Sequence, residues 1–506
     1  MRAISLVKKI QFDFPGNVVR NALTLGDIDN DGCNELIVGN QNGDVSIFKG
    51  QEKLHTISKL SLVSCVEVGD VLNENRNVLV IITADGWCYI YSASDKENET
   101  LESSGVDDGV EQVDGQAQST SGSGGETLRS TDTPSSSTKQ YKKDDDKMDL
   151  VCIHKQRIPA NAKNILLGDV DGDGMIEMVL GLTDRVVRSY RWIGNAHKHS
   201  LSISDSELEF DSSDKLLGKF VALNKWECAN QIGSITLHHS WDGTASLLIA
   251  QPGGTFMRIK CNSDESAGHS GMENSQSNSS SSQGETIPGS VDYQFLGISR
   301  MRNQNISTEI LGDLKCSHDG CEKSNTSFSS QKTETSKTST KGRPYAVATL
   351  DGTIMLVQDE VILWAIAVDH QVFALTKLDV TGNGSDDIVV CSWDGQTYIL
   401  DQEKNSVRFH LDEPVQAFTS GYYNVEPNEP AVTCLVYVTF KNKIILYYDI
   451  PLKELICKKF EPDLEKLSEL FIEEGRKPEE ALEIVKNIDK KTRKELVEYL
   501  LYNVNS

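Results

Sequence analysis

At 506 residues the chain is too long for one ordinary hydrophobic core. Its 75 acidic residues against 50 basic ones, a formal charge of −25, argue against a surface that grips nucleic acid or an anionic membrane, since both need a surplus of Lys and Arg. Hydrophobic residues make up only 38 %, which leaves room for segments that bury nothing, and 11 cysteines without paired spacing fit a reducing compartment better than a disulfide framework.

The N-terminus, MRAISLVKKIQFDF, carries lysines where a signal peptide needs an unbroken apolar run, and no window approaches the roughly 18 apolar residues of a membrane span. An intracellular chain is therefore expected. Ile4-Ser5-Leu6-Val7, with Ile10, is the first strand-like segment and has no hairpin partner of its own. Beyond it a turn recurs between short apolar runs. Asn42-Gly43 separates ELIVG from DVSIF, and similar turns follow at Asp85-Gly86, Gly253-Gly254, Asp351-Gly352 and Asp394-Gly395. Weaker copies stand at Asp184-Arg185 and Asn442. A dipeptide of this kind between β-branched or aromatic runs marks a β-hairpin.

Anchored at 43, 86, 185, 254, 352, 395 and 442, the units have a period of about 43 residues. The three long intervals contain the polar stretches at about 94–147, 195–215 and 262–341. Such stretches bury too little to offset their ordering entropy and are expected to be disordered insertions, the third broken only by a short strand at Tyr293-Gln294-Phe295-Leu296. Seven units of constant period predict an all-β fold, a seven-bladed β-propeller over residues 1–450. Its ring is expected to close by the N-terminal segment pairing with the last blade, around Leu435-Val436-Tyr437 and Ile444-Ile445-Leu446. Past Pro451 the apolar period becomes three to four. Leu464, Leu467, Leu470 and Phe471, then Ala481, Ile484, Val485 and Ile488, then Leu496, Val497, Leu500 and Leu501 predict a short helical tail over 451–506, packed on the propeller or docking a partner.

One motif carries chemistry. Three units contain an acidic loop ahead of their second apolar run: Asp27, Asp29, Asp31, Cys33 and Glu35 in the first; Asp169, Asp171, Asp173, Met175 and Glu177 in the third; Asp379, Thr381, Asn383, Ser385 and Asp387 in the sixth. Side-chain oxygens fall at positions 1, 3, 5 and 9, Gly at 6, and the carbonyl of position 7 completes a shell for a hard cation, Ca²⁺ or Mg²⁺. Position 12, where an EF-hand has its bidentate Glu, is Val38, Leu180 or Val390, so the loop belongs to a β-hairpin. Such an ion would be structural; the alternative is that Asp and Asn form Asx-type turns without metal. No organic cofactor is expected, since no phosphate-cradling Gly loop, G-x-S-x-G or paired His/Glu at metal spacing is present.

GDIDNDGCNELIVG and GDVDGDGMIEMVLG resemble FG-GAP repeats, the cation-loop blades of the integrin α-subunit. The whole chain, including CLVYVTFKNKIILYYDI (Cys434–Ile450) and the tail, resembles the intracellular FG-GAP repeat family that serves the KICSTOR complex. The resemblance implies a non-catalytic scaffold subunit, partnered by kaptin and two larger chains and held peripherally at the cytoplasmic face of lysosomes. There it would position a GTPase-activating complex for Rag GTPases and restrain target-of-rapamycin signalling when nutrients are short. The rival readings are a cation-stabilised adhesion or interaction module outside this pathway, and a propeller enzyme such as a hydrolase.

Overall fold

The computed structural model describes residues 1–93, 149–194, 218–260, 291–295, 305–316, 342–426 and 429–450, with a few positions of the tail. Seven antiparallel sheets of four strands, one with a fifth strand added, follow one another along the chain. The first strand of each contacts the first strand of the next, and the seventh contacts the first, so the ring is closed. Blade 1 consists of Leu23–Gly26, Glu35–Gly39, Val45–Lys49 and Glu52–Ile57. Blade 6 consists of Val372–Leu378, Asp387–Ser392, Gln396–Leu400 and Ser406–His410, with Arg2–Ala3 added in parallel outside the last. Among the described residues no helix is long and apolar enough to cross a membrane.

The burial of each strand follows from its radial place. Second strands lie between neighbouring blades on both faces and read as unbroken apolar runs; Val78–Thr83, Ala245–Gln251 and Tyr345–Thr349 are buried throughout. The hairpin after each second strand turns where the sequence placed its anchors. Gly43, Gly86, Gly254, Gly352 and Gly395 all have positive φ, and so do Arg185 and Asn442. At Gly43 the reason is double: φ is +86°, and a Cβ there would stand 1.9 Å from the Leu60 carbonyl oxygen. All eight described cysteines are free thiols.

Closure uses the strand of blade 7 expected for it, through Ile10 and the residues around it rather than through Ile4 to Val7. Lys9–Asp13 pairs antiparallel with Lys443–Tyr448, Ile10 opposite Leu446 and Phe12 opposite Ile444. Ile4 and Leu6 form no ladder; they lie between the two latches and pack on the cluster that includes Phe409 and Tyr447. The third polar stretch also needs correction. It holds two strands: Val291–Phe295, the outer strand of blade 4, and Thr308–Leu311, the inner strand of blade 5, followed by the buried Leu314. What separates strands there is 261–290 within blade 4 and 317–341 within blade 5, and these, like 94–148 and 195–217, lie outside the described residues. Most of the tail does too. Leu455 is buried beside Ile450, and Lys491, Thr492, Lys494 and Glu495 are helical, the turn begun by Asp489, whose carboxylate accepts from the N–H groups of Lys491 and Thr492.

Candidate functional site

The three acidic loops join the first and second strands of blades 1, 3 and 6, and they share one hydrogen-bond scheme. The position-1 carboxylate accepts from the backbone four and five residues on: Asp27 from Asp31 (3.1 Å) and Gly32 (2.9 Å), Asp169 from Asp173 (3.2 Å) and Gly174 (2.8 Å), Asp379 from Asn383 (3.1 Å) and Gly384 (2.8 Å). The residue at position 5 accepts from position 7: Asp31 from Cys33, Asp173 from Met175, Asn383 from Ser385. The position-9 acid reaches back to the N–H of position 2, Glu35 to Ile28, Glu177 to Val170 and Asp387 to Val380, each at 3.0 Å. Blade 2, whose loop has lost most of its acids, keeps the first element: Asp70 accepts from Glu74 (2.9 Å) and Asn75 (2.8 Å). The position-1 aspartate therefore serves the turn itself.

Carboxylates are nevertheless brought together. Asp27, Asp29 and Glu35 present oxygens within 4.8 Å of one another, as do Asp169, Asp171 and Glu177. By donor chemistry the sets suit a hard cation. A basic side chain, however, already stands on the same oxygens. The Lys49 ammonium lies 2.6 Å from Asp29 Oδ2, 2.6 Å from Asp31 Oδ2 and 3.0 Å from Glu35 Oε1. The Arg191 guanidinium lies 3.1 Å from Asp171 Oδ2 and 2.7 Å from Asp173 Oδ2, and its Nε donates to Glu177 Oε1 at 2.7 Å. As they stand, the blade 1 and blade 3 loops do not fit a divalent ion.

These two bases were missed in the sequence, although the hairpin register locates them. Glu177 is the ladder partner of Arg191, and the pairing of Leu36 with Phe48 puts Glu35 opposite Lys49. In blade 6 the same register puts Asp401 opposite Asp387, and among the described residues neither Asp379 nor Asp387 has an ion-pair partner. Burial pushes the Asp387 carboxyl up to about 7 against the pull of the Val380 and Thr381 N–H groups, and the charges of Asp379 and Asp401 add to the rise. Burial likewise pushes Glu35 and Glu177 up to about 7, opposed by their N–H donors and by Lys49 and Arg191. Burial also works against the Lys49 charge, but its bonds to Asp29, Asp31 and Glu35 outweigh this and hold it protonated well above its ordinary range.

The loops are also fastened to one another. Asn30 and Asn77 exchange hydrogen bonds between blades 1 and 2, Asn73 bonds both backbone groups of Ile176 between blades 2 and 3, and Asn34 bonds Asn424 and the Tyr422 carbonyl between blades 1 and 7. This face is a bonded belt.

The opposite end of the channel is crossed by Arg20 and Asn21, which precede blade 1. Arg20 makes a bidentate pair with Glu309 of blade 5 (2.7 and 2.8 Å) and donates to the Phe373 carbonyl of blade 6 (2.6 Å). Asn21 donates to the Lys163 carbonyl of blade 3 and accepts from Val66 of blade 2. Neither blade 5 nor blade 3 adjoins blade 1, so the dipeptide spans the mouth. The Glu309 carboxylate at this mouth is thus held by a guanidinium.

On the rim, the outer strand of blade 5, Val361–Ala367, reads VILWAIA and is the one outer strand among those described without a charged residue. Val361 is 62 % and Leu363 48 % exposed, and Ala365 and Ala367 are exposed as well. Other outer strands carry charge, such as Glu52 and Lys53 in blade 1 or Lys219, Lys225 and Glu227 in blade 3, the usual guard of a free edge.

A family model described as integrin-alpha FG-GAP repeat-containing protein 2 matches residues 51–452. The chain belongs to this family. It is 33 % identical over 460 residues to "KICSTOR complex protein ITFG2" of Mus musculus, covering 90 % of this chain and 87 % of that protein. It is 32 % identical over 471 residues to the Bos taurus protein of the same name, covering 90 % and 73 %. Among solved structures it is similar to BBS1N in its complex with ARL6DN, with a TM-score of 0.48 and 12 % identity over 90 % of this chain and 100 % of that one. It is also similar to Saccharomyces cerevisiae Sqt1, with a TM-score of 0.44 and 10 % identity over 88 % and 99 %.

Proposed function

We propose that this member of the family is a non-catalytic scaffold subunit of a KICSTOR-type complex, and that its outer blade surface is what partners hold. The reading rests on relatives that carry the KICSTOR name at 33 % and 32 % identity over nine-tenths of the chain. The Arg20–Glu309 clamp takes one carboxylate at the channel out of acid–base work, because a general acid or base must be free to exchange a proton. In this reading kaptin and two larger subunits are the partners. The assembly sits peripherally on lysosomes and recruits the Rag GTPase-activating complex, restraining target-of-rapamycin signalling on amino-acid or glucose deprivation.

The surface we assign to a partner subunit is the uncharged outer strand of blade 5, since an exposed apolar edge in a complex-forming family is where an extended apolar segment gains both hydrogen bonds and burial. The test is gentle purification of tagged full chain from its own cells, with mass spectrometry of what accompanies it. Kaptin and large scaffold chains in comparable amounts are expected with the native chain. Val361→Lys with Leu363→Lys should lose one or more of them while melting at the native temperature. A native chain recovered alone refutes the scaffold reading; a variant that keeps every partner refutes the blade 5 surface.

A further inference from the structure

We infer that Lys49 and Arg191 are the resident cations of the blade 1 and blade 3 loops: each supplies, from the facing strand, the positive charge that this type of loop otherwise takes from a divalent ion. Three observations carry this. The first is position. Both side chains contact the donors at positions 3, 5 and 9 together, Asp29, Asp31 and Glu35 in one loop and Asp171, Asp173 and Glu177 in the other. The second is register, because both arise from the residue facing position 9 across the second hairpin, so the arrangement is built twice in the same way. The third is charge. Four acids line each of these loops, Asp27, Asp29, Asp31 and Glu35 or Asp169, Asp171, Asp173 and Glu177, and each has its base; the blade 6 loop has acids only at positions 1, 8 and 9, and its facing residue is Asp401.

The electrostatics exclude joint occupancy. Ca²⁺ takes six to eight oxygens at about 2.3–2.6 Å. The position-1 oxygens are turned to backbone N–H groups, and those at positions 3, 5 and 9 are ion-paired with the ammonium or guanidinium. A dication entering among them would meet a like charge at contact distance and would have to expel a side chain whose stem lies in the blade. The two loops are thus made independent of cation supply, and replacing a single base re-creates an oxygen set of the ion-binding kind.

The test is thermal melting and calcium calorimetry on the full chain, native and with Lys49→Ala plus Arg191→Ala. The native protein should bind no calcium calorimetrically and melt at the same temperature in chelator and in millimolar calcium. The double variant should melt several degrees lower in chelator, recover part of the loss in calcium, and release binding heat. A native protein that melts lower in chelator overturns the inference, as does a double variant that melts like the native chain, or one whose loss calcium does not restore. Should the double variant not fold, Lys49→Ala alone leaves the four acids of one loop without their base and should melt lower in chelator and recover in calcium; no calcium response from it overturns the inference. Lys49→Arg with Arg191→Lys keeps both charges and should stay indifferent to calcium, and a calcium response from it overturns the inference.

Discussion

Arg20→Ala should destabilise the propeller strongly, because it breaks a shielded ion pair across the channel mouth. The Arg20 side chain is 24 % exposed and that of Glu309 9 %, so the pair is largely shielded, and the guanidinium makes two charge-assisted bonds to the carboxylate and one to the Phe373 carbonyl. Truncating Arg20 leaves the Glu309 carboxylate without its counter-charge, which for a shielded pair costs about 3–5 kcal/mol. Replacing both partners removes the stranded charge, so Arg20→Met with Glu309→Gln should lose far less than the sum of the single changes. A double-mutant cycle should give a coupling of about 2 kcal/mol, within the range for residues sharing one ion pair. Urea unfolding followed by tryptophan fluorescence measures it. Single variants each within about 0.5 kcal/mol of native, as for an exposed surface pair, would refute the clamp as a strut across the ring.

Two further outcomes follow from the geometry. Asp387 is held up to about 7, above its unfolded value, so the stability it contributes is fully present below the unfolded pKa of about 3.9 and is lost as pH rises toward 7. Asp387→Asn keeps an acceptor for Val380 and Thr381, and its stability should fall less than native between pH 5 and pH 8 by about 1.4 kcal/mol for each unit of displaced titration; equal slopes would contradict it. Phe12 is 9 % exposed and packs on Phe48 at 4.4 Å, so Phe12→Ala should cost about 3 kcal/mol by urea unfolding, whereas Val7→Ala, 86 % exposed, should cost nothing measurable.

The ring was legible in the sequence because its period is written in residues that answer to local rules. A turn with positive φ favours Gly or Asn, and six of the seven hairpin anchors carry one of them, Arg185 being the exception, while the second strands, covered on both faces, are largely apolar. Elements whose character depends on distant partners were harder to see. Thr308-Glu309-Ile310-Leu311 is short, sits in polar sequence and carries a glutamate, which is there because Arg20 meets it from nearly 300 residues away. The closing strand was placed a few residues early because Ile4 to Val7 is the more apolar segment, while Lys9–Asp13 alternates, with Ile10 and Phe12 inward and the rest outward, as an outer strand does. The acidic loops were found, but their meaning needed the register: only pairing across the hairpin sets Lys49 against Glu35.

The N-terminal residues that latch blades 6 and 7 leave the ribosome long before the strands they pair with. The Lys9–Asp13 strand then waits for Lys443–Tyr448, about 430 residues and, at about 5–20 residues per second, about 20–90 s of translation later. Until then the ring is an open arc whose seventh blade lacks its outer strand. Nascent chains stalled before residue 443 should accordingly be bound by chaperones and cut by protease near their N-terminus, while completed chains are not.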